Sequence, residues 1–473
     1  MHKNTNTLVK AIRLATLAAM VAPVNVMAGG FSLNEQSASQ MGVANAGATA
    51  NPENATTVLF NPAGMSQLSG TNISFGAAVL DITAEAKTSS IQATGAIGQA
   101  VDGGDYRSGG DIADPAVLPN FYMTHEVNDS IDVGFGIHAP YGLAADYEND
   151  FAGRFFADKT ELTAIALTPS IAINNGEGLS MGLGLNIIYA EGRLSRYQDL
   201  SGAVLQATGD QNLALKAPEP YADVEGDDIG VTFRVGFLYE LSDRTQFGLS
   251  AQTGTELNLK GDMEVSGLPA NLGLPASADE RVEVPLAIPE SITFGVRHKL
   301  MDEITLLAGA AYARWSRFEE LDIVSREGGS GSVSQILGGL SPTQTPPDPI
   351  NHVTEEWKNT WQFNVGGIWQ ATPAWAFKAG YAFDESPVDE YVTARIPSTD
   401  RHWLTLGAQW KDVASGWTVD AAVGTLIFDS NAKVNDREYS HDDPTGDPVS
   451  LSSYQAEYDL SAWSAAIEFS KAF

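Results

Sequence analysis

The chain is 473 residues long, carries a formal net charge of −32 and contains no cysteine. That acidity excludes a nucleic-acid surface, which needs clustered Lys and Arg, and the missing thiol excludes disulfides, thiolate metal sites and cysteine nucleophiles. Outside the N-terminus no run approaches the ~18 apolar residues of a membrane helix, so any membrane span must be made of strands, and such a barrel folds as one unit at this length.

Residues 1–28 read as an export signal: Lys3, Lys10 and Arg13 open it, residues 14–26 are apolar, and Val26 and Ala28 put small side chains at the minus-three and minus-one places of a cleavage site. Its removal deletes three positive charges and no negative ones, which takes the net charge from −32 to −35.

Residues 29–70 form a polar, Ala- and Gly-rich segment that ends in Leu59-Phe60-Asn61-Pro62-Ala63-Gly64-Met65. It lacks an apolar face large enough for a core of its own, and its Gly, Asn and Pro favour turns. The segment therefore reads as a plug that needs a container.

From Thr71 onward the apolar period is close to two. Val231, Phe233, Val235, Phe237 and Tyr239 share one face, while Gly230, Thr232, Arg234 and Gly236 share the other; Trp361, Phe363, Val365 and Trp369 alternate in the same way with Gln362, Asn364, Gly366 and Gln370. A sandwich also alternates, but its strands run to about five or six residues and its aromatics face a shared core. Longer segments that end in Tyr or Trp fit a lipid-facing barrel with aromatic girdles. About fourteen strands can be placed, starting near Thr71, Asn120, Ser130, Thr160, Leu179, Asp227, Thr245, Val284, Ile304, Asn359, Trp375, Arg401, Trp417 and Ala462. Short turns such as residues 174–178 and 371–374 alternate with long segments such as 317–358 and 428–461, which assigns short turns, termini and plug to the periplasm and long loops to the exterior. The fold class is thus all-β: a 14-stranded antiparallel transmembrane β-barrel over residues 71–473 with an N-terminal hatch inside it.

The final strand carries Trp463, Ala465, Ile467, Phe469, Lys471 and the terminal Phe473, an aromatic ending of the kind outer-membrane assembly reads. Acid gathers in three stretches: Asp146, Glu148 and Asp150; Asp223, Glu225, Asp227 and Asp228; Asp436, Glu438, Asp442, Asp443 and Asp447. These read as solvated loops, since none has the spacing of a metal-binding loop. Residues 342–349, rich in Pro, read as a stiff loop.

Five blocks resemble the FadL-type long-chain fatty-acid and hydrocarbon transporters of Gram-negative outer membranes: residues 29–35, Asn61-Pro62-Ala63, residues 312–318, residues 383–388 and residues 396–404. The resemblance spans the mature chain. It implies a hatch-plugged barrel in the outer membrane, with Asn61, Pro62, Ala63 and Gly64 fixing the hatch to the wall and Gly29-Gly30-Phe31 as its mobile tip, a hydrophobic ligand caught between long loops, and sideways exit through a kink in the third strand. In this chain that strand is residues 132–140, where Gly134, Gly136 and Pro140 weaken a ladder. By position in the family's blocks, Arg196 and Lys358 are the head-group pair with Arg193 as fallback, and Phe31 is the hatch aromatic in the ligand pocket. Sideways exit also makes physical sense, because an acyl chain gains roughly 0.8 kcal/mol per buried methylene and nothing from a watery channel.

An enzyme is opposed by the lack of a Gly-x-Ser-x-Gly elbow or His-Glu-x-x-His motif. A general porin is opposed by the hatch, while an adhesin or phage receptor, and a monoaromatic hydrocarbon as the transported compound, stay open. His441-Asp442-Asp443 reads as loop surface. No cofactor and no nucleic acid are expected. The expected partners are a fatty-acid ligand and the surrounding lipid and lipopolysaccharide, with the chain acting as a monomer.

Overall fold

The computed structural model describes residues 30–270, 273–340 and 346–473. The export signal lies outside the described residues, as do residues 342–345 of the Pro-rich stretch. Among the described residues no helix is long and apolar enough to cross a membrane.

Fourteen wall strands follow one another around a closed antiparallel ring. They are β1 (Thr71–Ala86), β2 (Ala116–Asn128), β3 (Ile131–His138, resuming at Gly142–Asp146), β4 (Lys159–Leu167 and Ser170–Asn174) and β5 (Leu179–Tyr197). Next come β6 (Tyr221–Ser242), β7 (Thr245–Gln252 and Thr255–Ser266), β8 (Ser277–Ile288 and Ser291–Met301), β9 (Ile304–Ala313) and β10 (Thr360–Gln370). The ring ends with β11 (Trp375–Asp384), β12 (Arg401–Lys411), β13 (Trp417–Phe428 and Ala432–Arg437) and β14 (Ser453–Ala472). Closure is a long seam between β1 and β14, from Asn72 opposite Ala472 to Ala86 opposite Tyr458. Even strand number and closure leave no sheet edge to be satisfied in lipid.

Alternation along each strand sorts the side chains. Val231, Phe233, Val235, Phe237 and Tyr239 of β6 point out, while Thr232 between them is fully buried. Tyr239, Trp369, Trp375 and Trp410 are outward aromatics near the short-turn end, where a girdle meets the membrane interface.

Several strands run further outward than the sequence pattern places them. β6 starts at Tyr221 rather than near Asp227, β8 at Ser277 rather than near Val284, and β14 at Ser453 rather than near Ala462. At 22 residues β6 far exceeds the ~9–11 that a membrane strand needs. Beyond the bilayer the outer face meets water, so the apolar alternation stops while the hydrogen-bond ladder continues. For the same reason Asp223, Glu225, Asp227 and Asp228 lie in β6, and Asp436 in β13, instead of in loops.

Residues 30–70 sit inside the ring. They contain helices α1 (Ala38–Met41) and α2 (Thr57–Phe60) and two 3-10 turns, Ala48–Ala50 and Pro62–Gln67. The Asn61 side chain caps the second turn by accepting from the Ala63 N–H, with Pro62 at its first position, where no N–H is needed. Most residues of the segment are buried, and only Ser69 is exposed.

Glycines of the wall set how close this segment comes. A Cβ on Gly248 of β7 would lie 1.9 Å from the Thr49 carbonyl oxygen, and one on Gly380 of β11 would lie 2.1 Å from the Val43 carbonyl carbon. Plug backbone also lies close at Gly182, Gly295 and Gly366, and the Asn61 side chain at Gly236, so bare wall backbone meets the plug around much of the lumen. Lys378 of β11 adds a buried tie, pairing at 2.7 Å with Glu53 of the plug and at 3.0 Å with Asp420 of β13.

Candidate functional site

The N-terminal tip of the plug completes an aromatic box. Phe31 is 1% exposed and packs edge-on to Trp315 at 4.6 Å between ring centroids, with Tyr141, Phe318 and Trp357 each at 5.9 Å. Gly30 is required next to it: its φ is +67°, and a Cβ there would come within 2.4 Å of the Trp315 ring.

The same tip fills a gap in the wall. Between the two parts of β3, residues 139–141 leave the ladder. There the Leu33 N–H donates to the Pro140 carbonyl at 3.1 Å, the Gly142 N–H donates to the Phe31 carbonyl at 2.9 Å, and Ser32 forms a bridge with Tyr141. Backbone groups freed by the interruption thus find partners on the plug. Pro140 sits within the gap. Gly134 and Gly136 lie below it in regular pairing with Thr124 and Tyr122 of β2. Their bare backbone instead admits Val58, whose side chain would come within 2.7 and 3.5 Å of a Cβ at these positions.

Asn61 reaches the wall, its side-chain amide donating to the Phe237 carbonyl of β6 at 2.9 Å and to Thr49 of the plug at 2.7 Å. Pro62 and Ala63 rest on Gly182 of β5, and Gly64 is held so near Thr57 that a Cβ would meet the Thr57 hydroxyl at 2.2 Å.

On the outer side of Phe31 lies an apolar cavity whose lining includes Leu143, Leu162, Val224, Leu286, Leu321 and Ile396. Its free volume is about 40 Å³, roughly three water-sized spheres, so a chain of any length needs the space that Phe31 holds. Arg193 stands at its edge, paired with Asp223 at 2.6 Å and Glu225 at 3.4 Å. Arg196 lines an adjoining cavity with Arg395, among Leu194, Val224, Met263 and Ile323. Arg196 donates to the Phe155 carbonyl at 3.2 Å and lies 3.8 Å from Glu438. Arg395 is 3% exposed and donates to the carbonyls of Lys159 and Ser195 and to the Thr160 hydroxyl. Among the described residues no carboxylate lies within 4 Å of it. Burial, followed by repulsion from Arg196, lowers its pKa to about 10. Lys358 is half-buried and donates its backbone N–H to Pro387, but the linings of both cavities leave it out.

Below the box, a more polar cavity of about 180 Å³ crosses the lumen from Pro140 and Tyr141 to Ser291 and Thr293. Arg234 of β6 lines it, its Nε without a hydrogen-bond partner. Glu355, fully buried beside the box, accepts from the Trp357 indole N–H at 2.9 Å, and burial pushes its carboxyl up to about 8.

Sequence reasoning does not single out Trp357, Arg395 or Arg234. Trp357 neighbours the Lys358 it did name, and Arg395 abuts the block that begins at Ile396, so the signals were one residue away. Arg234 was noted only as part of a polar face.

The family model described as outer membrane protein transport protein (OMPP1/FadL/TodX) matches residues 18–473. The 47 kDa outer membrane protein of Pasteurella multocida is 30% identical over 406 residues, covering 84% of this chain and 87% of that protein. The long-chain fatty acid transport protein of Escherichia coli O6:H1 is 27% identical, over 83% of this chain and 86% of its own. Among solved structures, a Pseudomonas aeruginosa FadL homologue superposes with a TM-score of 0.79 at 22% identity, over 94% of this chain and 100% of that one.

Proposed function

Given that the chain belongs to the OMPP1/FadL/TodX family of outer-membrane transport proteins, we propose that it takes up long-chain fatty acids through a ligand-triggered movement of its hatch. Family members are transport channels for hydrophobic compounds in the outer membrane, and the coarse function of this chain is the same. The choice of a fatty acid rests on one observation: two arginines, Arg196 and Arg395, flank an apolar cavity, and Arg395 has no carboxylate within 4 Å among the described residues. A desolvated carboxylate head needs such a partner, whereas an aromatic hydrocarbon has no use for one.

In this reading the acyl chain enters the cavity beside Leu162 and Leu286, displaces Phe31, and withdraws the rungs that the hatch supplies to the gap in β3. The gap then opens sideways into lipid, past Arg234. The ligand drives the change only by binding the open form better than the closed one. The barrel works as a monomer within lipid and lipopolysaccharide.

The test is equilibrium binding of radiolabelled oleate and of toluene to the purified mature barrel and to Arg395→Ala. A hydrogen-bonded charge is worth ~1.5–3 kcal/mol, so oleate affinity should fall about 10- to 150-fold while toluene binding is unchanged. Toluene binding without saturable oleate binding would move the assignment to monoaromatic hydrocarbons. Ion conductance with neither ligand bound would make it a porin.

A further inference from the structure

Two outer loops meet at a cluster of four side chains that the transport reading does not use: Glu320, Asp322, His352 and His441, one donor atom from each, all within 4.8 Å of one another. The first three come from the segment between β9 and β10, the last from the segment between β13 and β14. His352 Nδ1 is 2.6 Å from Asp322 Oδ1 and 3.8 Å from Glu320 Oε2, and His441 Nδ1 is 3.0 Å from Asp322 Oδ2 and 3.4 Å from Glu320 Oε2. These separations bracket the edge of about 3.4 Å of a tetrahedron with metal–ligand bonds of ~2.0–2.1 Å. Among the described residues neither carboxylate has a Lys or Arg within 4 Å.

The hydrogen-bond directions strengthen the case. The Thr354 hydroxyl gives its proton to the Pro444 carbonyl at 2.9 Å, so towards His352 Nε2, 3.0 Å away, it can only accept. His352 Nε2 must then carry the ring proton. With Nε2 protonated, the second ring nitrogen, Nδ1, faces the Asp322 carboxylate at 2.6 Å, an approach that either a second ring proton or a bound cation satisfies. The Thr354 contact is also the kind of outer hydrogen bond that orients a metal-ligating imidazole. Both members of the pair are well enclosed, with side-chain exposures of 6% for His352 and 5% for Asp322.

The geometry points to a divalent transition-metal site, of the zinc class, that joins the two outer loops. Two imidazoles and two carboxylates suit Zn²⁺ or Ni²⁺, whereas Ca²⁺ and Mg²⁺ take oxygen alone. The consequence for the barrel is mechanical. Residues 320–323 form short antiparallel bridges with residues 351–354, and alternate residues point to opposite tasks. Leu321 and Ile323 line the two ligand cavities while Glu320 and Asp322 hold the metal, so the ion fixes one wall of the ligand space. The site itself does not depend on which compound is carried.

The full mature barrel, stripped with chelator and dialysed against zinc acetate, should retain one zinc per chain by mass spectrometry of the metal. His441→Ala removes a half-exposed ligand with little burden on folding, and Asp322→Asn keeps the shape. Each should lower zinc affinity at least tenfold against a chromophoric chelator, and excess Ca²⁺ or Mg²⁺ should not compete. Cobalt(II) in place of zinc should give the visible absorption of a low-coordinate site, lost in His441→Ala. Zinc at background level would leave a plain imidazolium–carboxylate pair and overturn the proposal. So would zinc retained equally by both variants, or displaced by Ca²⁺.

Discussion

Replacing Phe31 by alanine removes the ring that occupies the box formed by Tyr141, Trp315, Phe318 and Trp357. If ligand and ring compete for this space, the wild-type affinity is reduced by the free energy of expelling the ring. Full burial of a Phe side chain is worth about 2–3 kcal/mol, and the backbone bonds of Leu33 and Gly142 survive the substitution, so this ring term is what changes. At ~1.4 kcal/mol per decade, oleate should bind Phe31→Ala about 30- to 140-fold more tightly. The barrel should still shift mobility on heating as a folded outer-membrane protein does. Binding is best read with radiolabelled oleate by equilibrium dialysis, because Trp315 and Trp357 change surroundings in the variant whether or not ligand is present. Equal or weaker affinity in a folded variant would refute the competition and make Phe31 part of the ligand's own wall.

The glycine contacts and the buried carboxyl of Glu355 make separate predictions. Gly380→Ala sets a methyl against the Val43 backbone, whereas Gly367→Ala meets nothing nearer than the Thr305 carbonyl at 3.8 Å. In planar bilayers the first should raise ion conductance by loosening the hatch and the second should match wild type; equal conductance would remove the close fit as the seal. The Glu355 pKa is raised from 4.5 to about 8 by burial. Its contribution to folded stability is therefore complete below pH 4.5 and is lost as pH rises through about 8. Tryptophan emission from the box should shift to the red with a midpoint near pH 8, and Glu355→Gln should abolish the shift. An identical profile in both proteins would contradict the assignment.

The wall was legible because lipid imposes a strict two-residue alternation: Val231 to Tyr239 and Trp361 to Trp369 announce themselves without reference to any other part of the chain. Where the strands pass beyond the bilayer that constraint lapses, which is why the first residues of β6, β8 and β14 went unseen and Asp223 passed for a loop residue. The ligand path was less legible for a different reason. Arg196 and Arg395 are partners only after three-dimensional closure, and the Glu320 to His441 cluster joins segments 121 residues apart with no local spacing to betray it. Wall glycines such as Gly248 and Gly380 read locally as small lumen-facing residues. Only the plug opposite them explains why nothing larger fits.

Those glycines also bear on how the barrel is assembled. A strand displaced by a single residue would turn its lumen-facing glycine outward and present a neighbour such as Leu249 or Tyr381 to the plug backbone. The seam between β1 and β14 could not then close around the occupied lumen. The close fit of residues 30–70 therefore constrains the register of the wall as well as sealing the lumen.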